Sequence, residues 1–309
     1  MGLQLFSVNS LGGFFTNNQL SQQVRYKAQT MQRFRQFVDM EAAAGSNRGN
    51  KVFFDKVSNI ATAGGTLVET DTIPKSNYTI TQGTLTITEY GNSIPYTQKV
   101  KTLSDIQVPE TIRTVLQNDM KTVLDSAAAT QFKTNDYIAT ITNTATTTFG
   151  TAGTALATAG ASMSDKNVRD IVDRMKTLLI PKRQDDNYAC VASTNSIRGL
   201  YDFFEAKAQL TTLDPLYRGE VGQYYGTRFV EETNFLGNAD GSNGLYGEAV
   251  FFGADAVREG VAIPEEIRIA VPGDFGRDNG IAWYALLGFQ QVWDFSADGQ
   301  TRIIVVDSL

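Results

Sequence analysis

Apolar positions change period several times along this 309-residue chain, and each change marks an element. In LSQQVRYKAQTMQRFRQFVDMEAAAG, the residues Val24, Ala28, Met31, Phe34, Phe37 and Val38 recur at helical spacing, and Gly45 stands where a helix would stop. This predicts an N-terminal arm over residues 1–50 that is irregular before Leu20 and helical after it. From Lys51 to Gln98 the period shortens. KVFFDKVSNI, TLVETDT and YTITQGTLTITEYG read as strands, the last setting Thr against Ile80, Leu85 and Ile87 around Gly83. Too few apolar residues lie here for a compact core, and a lone two-stranded hairpin is marginal in water, so a long hairpin that packs on a partner is expected.

The strongest helical pattern is PETIRTVLQNDMKTVLDSAAATQF, residues 109–132, with Pro109 in its first turn. Ile112, Val115, Leu116, Met120, Val123, Leu124, Ala127 and Ala128 form one apolar stripe along it. Residues 140–162 are low in complexity and almost uncharged, which suits either a linker or short edge strands. Ser164 then caps a second amphipathic helix, with Val168, Ile171, Val172, Met175, Leu178 and Leu179 on one face and Pro181 as terminator. NYACVAS reads as a short buried strand. STNSIRGLYDFFEAKAQL follows as a helix capped by Ser193 or Thr194, which marks a small α/β lobe. TRFVEET and GEAVFFG read as strands joined by the turn-rich NADGSNG. GIAWYALLGFQQVWDF and TRIIVVDSL finish the chain, and Asp298-Gly299 between them is a hairpin signal. The terminal strand is expected to be paired, since untethered ends fray.

Charge and composition narrow the chemistry. Hydrophobic residues make up 42% and charged residues 19%, as in a folded α+β chain of one large domain or two lobes. A net charge of −6 argues against a surface that grips nucleic acid throughout. The first 51 residues differ, carrying Arg25, Lys27, Arg33, Arg35, Arg48 and Lys51 against Asp39 and Glu41. A solvated helix face accounts for this, or else an acidic partner near the arm. The single Cys190 excludes an intramolecular disulfide and, lying in an apolar stretch, reads as a buried small hydrophobe from a reducing compartment. No leader-like segment opens the chain, and no apolar run approaches the ~20 residues that span a bilayer.

There is no histidine. That removes His-dependent triads, His metal ligands and the commonest general base near neutral pH, and with one Cys a thiolate zinc site is excluded too. Gly219, Gly222 and Gly226 in LYRGEVGQYYGTRFVEETNF do not follow a dinucleotide fingerprint, and what comes after them is β-like, so they read as turns and not as a phosphate cradle. NADGSNG fails as a calcium loop because the twelfth position from Asn238 is Ala249. Glu231 and Glu232 are adjacent in a strand and point to opposite faces, so they cannot flank one glycosidic bond. Lys182-Arg183 reads as a solvated charge pair after a helix end. No catalytic, cofactor-binding or metal-ligating residue is assigned.

The order of the parts resembles the major capsid proteins of tailed bacteriophages with the Hong Kong ninety-seven fold, and more narrowly the group related to that of coliphage N-four. The residues that carry this are GNKVFFDKVSNIATAGGTLVETDTIP, YGNSIPYTQKV leading to the long helix, MSDKNVRDIVDRMKTLLIPKRQDDNYACVASTNSIRGL, RGEVGQYYGTRFVEETNF and FFGADAV. The resemblance implies an α+β capsid fold with an N-terminal arm at 1–50 and an extended loop with flanking strands at 51–98. It further implies a peripheral domain with its spine helix at 99–180, an axial domain at 181–275 and return strands of the peripheral domain at 276–309. The implied role is structural, without enzyme activity or cofactor. Pentamers and hexamers would close into an icosahedral head around double-stranded DNA, without a membrane, in a virion assembled in the host cytoplasm. Scaffold, portal and decoration proteins are implied partners. A member of this fold crosslinks its extended loop through Lys and Asn. Lys75 lies in the corresponding loop, but nothing local identifies an Asn partner or a catalytic Glu, so crosslinking is not carried over. An encapsulin-type shell holding enzyme cargo shares the fold, and a carboxylate-based enzyme or sugar-binding domain is the reading from another class.

Overall fold

A computed structural model describes residues 27–41, 49–60, 64–70, 72–151, 153, 158–183, 186–208, 222–237, 240–241, 244–245 and 247–308. Among them two sheets dominate. The first has the order β1–β13–β14–β4, made of β1 (Asp39–Met40), β13 (Val257–Ile269), β14 (Asp278–Gln291) and β4 (Thr88–Thr97). The second has seven strands in the order β6–β5–β15–β12–β7–β9–β8. These are β5 (Ile138–Asn143), β6 (Thr146–Gly150), β7 (Tyr188–Ser193), β8 (Gln223–Tyr224), β9 (Thr227–Glu232), β12 (Gly247–Phe252) and β15 (Ile303–Ser308). Sheet membership cuts across the linear segments 99–180, 181–275 and 276–309. β5 and β6 lie in the seven-stranded sheet, β13 in the four-stranded one, and the two closing strands part company, β14 to the smaller sheet and β15 to the larger.

The 26-residue helix α2 (Val108–Lys133), entered through the short α1 (Gln98–Leu103), ties the sheets together. Its first half buries Ile112 and Leu116, and Asp119 accepts the indole N–H of Trp283 on β14 at 2.9 Å. Its second half buries Leu124, Ala128, Ala129 and Phe132, with the Phe132 ring 4.7 Å from that of Phe252 on β12. The predicted stripe is therefore not one seam. The helix changes its buried side along its length, and Val115 is exposed.

The seven-stranded sheet is buried on both faces, which explains why YACVAS is apolar without alternation. Ala189, Val191, Val250, Phe252, Ile303 and Val305 face the long helix. Cys190, Ala192, Ala249, Phe251, Ile304 and Val306 join the opposite cluster, which Val168, Ile171, Val172 and Met175 of α3 (Asp165–Thr177) and Ile197 and Leu200 of α4 (Thr194–Ala208) complete. Ser164 caps α3 in a capping box with Asn167, as its spacing predicts. Leu179 departs from the predicted apolar face: it is exposed in left-handed backbone at φ 55°. The low-complexity stretch contributes the edge hairpin β5–β6.

Other expectations are overturned by tertiary context. From Lys27 the arm is not α-helical; it has no regular structure up to a single 3₁₀ turn at Arg35–Phe37 and then pairs as β1 with β13. Its apolar residues are anchored one at a time, Phe34 fully buried and its ring 5.5 Å from Phe132, which outweighs a helical periodicity with nothing to pack its stripe against. Residues 20–26 and 42–45 of that predicted helix lie outside the described residues. TLVETDT forms no strand among the described residues. Asp298-Gly299 turns no hairpin: Asp294 caps a short helix α5 (Phe295–Asp298), and Gly299 at φ 66° ends it. The left-handed glycine is there, but a helix uses it. The sequence pattern predicts no element over β13; its interior Pro264 lies where two register shifts between Val261 and Glu266 interrupt the ladder.

Candidate assembly surface

β2 (Lys51–Val57) and β3 (Ile80–Thr86) form the expected antiparallel hairpin, with Phe54 directly opposite Gly83. A Cβ on Gly83 would fall 2.3 Å from the Phe54 ring, so the glycine that interrupts the Thr alternation is the seat of that ring. The base of the hairpin rests on a small cluster of Phe54, Leu85, Ile87 and Val292. There Lys56 pairs with Asp298 at 2.6 Å, both side chains nearly buried and the ammonium over the Trp293 ring. The opposite face and the far end are uncovered: Phe53, Val57 and Ile80 on the strands, and Ile60, Ile73 and Tyr78 beyond them, are exposed. Lys75 is exposed in the same loop.

The arm is held by polar as well as apolar contacts. The Arg35 N–H donates to Asp125 Oδ1 at 3.0 Å, and its guanidinium pairs with Glu259 at 2.8 Å and Glu265 at 2.9 Å. Arg35 thus meets its acidic surface within its own chain and leaves the set of cations available to an outside partner. Lys27 and Arg33 remain exposed, whereas Arg25 lies outside the described residues. Arg183 is likewise more than a solvated charge: it donates to the Phe37 carbonyl at 3.0 Å and lies over the Phe37 and Phe252 rings. Sequence could not reveal this, because the partner is 146 residues away.

Gly222 and Gly226 take left-handed φ of 65° and 74°, the latter in the turn between β8 and β9, as read; Gly219 lies outside the described residues. Tyr224 packs on the apolar cluster of the larger sheet, and Tyr225 donates to Asp173 at 3.2 Å beneath the Lys176 ammonium. The two glutamates diverge. Glu231 accepts from Thr194, while Glu232 is fully buried and accepts the N–H groups of Asn234, Phe235 and Leu236. Burial nevertheless raises the Glu232 carboxyl above its ordinary range. Cys190 is buried, which pushes its thiol up and leaves it unsuited to nucleophilic attack. Of NADGSNG, Asp240–Gly241 pairs with Gly244–Leu245 as two short strands, β10 and β11.

A sequence model of the Phage capsid family matches residues 12–204, well over half of the chain. No curated protein matches the sequence. Solved structures align along almost the whole length. That of Mycobacterium phage Che8 is 15% identical with a TM-score of 0.66, covering 94% of this chain and 97% of that one. The capsid of Ralstonia phage GP4 is 15% identical with a TM-score of 0.65 and 98% coverage of both chains. The acid-stable capsid of Helicobacter pylori bacteriophage KHP30 is 12% identical with a TM-score of 0.64 and 99% coverage of both. These likenesses support the tailed-phage capsid fold without singling out the narrower coliphage N-four group. Family match and fold agree: the chain belongs to the Phage capsid family, as a structural major capsid protein of the Hong Kong ninety-seven type.

Proposed function

We propose that copies of this chain form pentamers and hexamers of an icosahedral head that closes around double-stranded DNA. The projecting hairpin carries the reading. Phe53, Val57, Ile60, Ile73, Tyr78 and Ile80 are exposed apolar side chains on a hairpin that the chain's own fold supports only at its base. Covering each such side chain contributes about 1.5–3 kcal/mol, and a neighbouring copy supplies the cover. In this assignment the smaller sheet with α2 belongs to the peripheral domain, the larger sheet with α3 and α4 to the axial domain around the five-fold and six-fold positions, and residues 51–98 hold the extended loop with its flanking strands, of which β4 joins the smaller sheet. The exposed Lys27 and Arg33 of the arm face the interior or an acidic neighbouring surface, and phosphate neutralisation makes any DNA contact there salt-sensitive. Scaffold, portal and decoration proteins act on this shell, which assembles in the host cytoplasm. No helix among the described residues is long and apolar enough to cross a membrane. Electron microscopy of the purified full-length chain, alone and with a co-expressed scaffold, is expected to show closed particles of uniform diameter. Discrete small oligomers under every condition would overturn the reading.

A further inference from the structure

Residues 30–35 of the arm lie across a seat made by α2 and by the segment that follows β9. Met31 and Thr233 bond each other twice, the Met31 N–H giving to Thr233 Oγ1 at 3.0 Å and the Thr233 N–H to the Met31 carbonyl at 3.3 Å. Thr30 donates to Asn234 Oδ1 at 2.9 Å, and Gln32 to Thr122 Oγ1 at 2.8 Å. The Arg35 N–H closes the row on Asp125, and Phe34 is the buried apolar peg beside it. All of these contacts lie within one chain.

Beneath this row sit two carboxyl groups that have no cation of their own. Glu232 is fully buried and Asp125 is 3% exposed. Three backbone N–H groups meet Glu232, whereas one oxygen of Asp125 is buried without a donor among the described residues. The cations nearby are spent elsewhere. Arg35 pairs with Glu259 and Glu265, Arg258 with Glu41 and Asp255, and Lys133 with Glu248. Lys121 on α2 and Arg33 on the arm are exposed, Asp119 accepts from Trp283, and Glu231 from Thr194. Four carboxyl groups, Asp125, Glu232, Glu259 and Glu265, therefore surround one guanidinium. Buried like charges resist ionising together.

We propose that residues 30–35 form a pH-sensitive strap, seated while Asp125 and Glu232 hold a proton and lifting as both ionise. Lifting lets water reach Asp125 and screens its charge from Glu232. Burial raises both carboxyls, and the Asp125 charge adds to the rise at Glu232. Their contribution to seating is thus complete below the ordinary carboxyl range and is lost as pH rises through the raised values. Glu265, held low by Arg35, acts the other way and loses its contribution only as pH falls through its lowered value. Phe34 sets how firmly the strap rests, and the carboxyls tune it. A lifted strap returns Arg35 to Lys27 and Arg33 as a cation open to an acidic partner, so pH sets the charge that the arm presents. The device needs no neighbouring copy and stands apart from the shell reading.

Hydrogen exchange of the full-length chain between about pH 5 and pH 8, corrected for intrinsic exchange at each pH, tests it. Protection of the Met31 and Arg35 amides should fall by up to about tenfold per pH unit for each carboxyl that ionises on lifting, while amides of β7 and β12 keep theirs. Asp125→Asn keeps the acceptor for Arg35 and should remove most of that slope. Glu265→Gln should instead lower protection by the same factor at every pH, because that group is ionised throughout the range. Arm protection that is flat or rises with pH would overturn the proposal. A fall shared equally by β7 and β12 would do the same, since the whole fold and not the strap would then be opening. So would a wild-type slope in Asp125→Asn. Should that variant not fold, the wild-type contrast between arm and sheet amides decides alone.

Discussion

Asp125 sits within α2, with one carboxylate oxygen accepting the Arg35 N–H and the other buried without a donor. Burial raises its carboxyl, and that of the nearby Glu232, above the ordinary range. The folded chain therefore binds these protons more tightly than the unfolded one. The stability they contribute is complete below the ordinary carboxyl values and is lost as pH rises through the raised ones. Glu265 runs the other way. Its pairing with Arg35 holds it low, so its contribution is present above the ordinary value and lost as pH falls through the lowered one. Asp125→Asn keeps the acceptor for Arg35 and removes one raised group. Calorimetry between about pH 4 and pH 7 should then show a smaller loss of melting temperature with rising pH than in wild type. An unchanged slope would mean that Asp125 carries no such linkage. A sequence shows that Asp125 is acidic; only the arm laid across it buries the group.

At the scale of elements, local signals were legible wherever the chain packs on its own neighbours in sequence. Ser164 with Asn167, Pro109 at the start of α2, and the twin glycines flanking Gln223–Tyr224 act as their chemistry dictates. The hairpin β2–β3 was legible as well, though the reason for Gly83 was not, because Phe54 lies 29 residues earlier and only the strand register sets it opposite. Gly83→Ala would drive a Cβ into that ring. The expected result is a loss of about 1–3 kcal/mol in chemical denaturation, confined to a transition that includes the hairpin. A neutral outcome would show that the Phe54 ring moves aside freely. The arm is the opposite case: helical spacing was real in the sequence, yet separate tertiary anchors for Phe34, Arg35 and Phe37 decided for an irregular path with a single 3₁₀ turn.

In the whole molecule, the hairpin is latched to the body through Lys56 and Asp298, which lie 242 residues apart. Lys56→Met would leave Asp298 in a nearly buried place without its cation, a change that costs about 3–5 kcal/mol at sites of this kind. Limited proteolysis should then cut within residues 58–79 faster, while amides of β7 and β12 stay protected from exchange. Equal cutting rates would show that the apolar cluster alone seats the hairpin. By itself the sequence determined the helices α2 and α3, the buried strands, the β hairpin and the lack of a histidine- or thiolate-based site, because these depend on spacing and residue type within a few turns of chain. Only the tertiary structure decided which sheet each strand joins, that the two closing strands separate, and that Arg35 and Arg183 bind the arm. Those outcomes depend on contacts between residues far apart in the chain, where no local period carries the information.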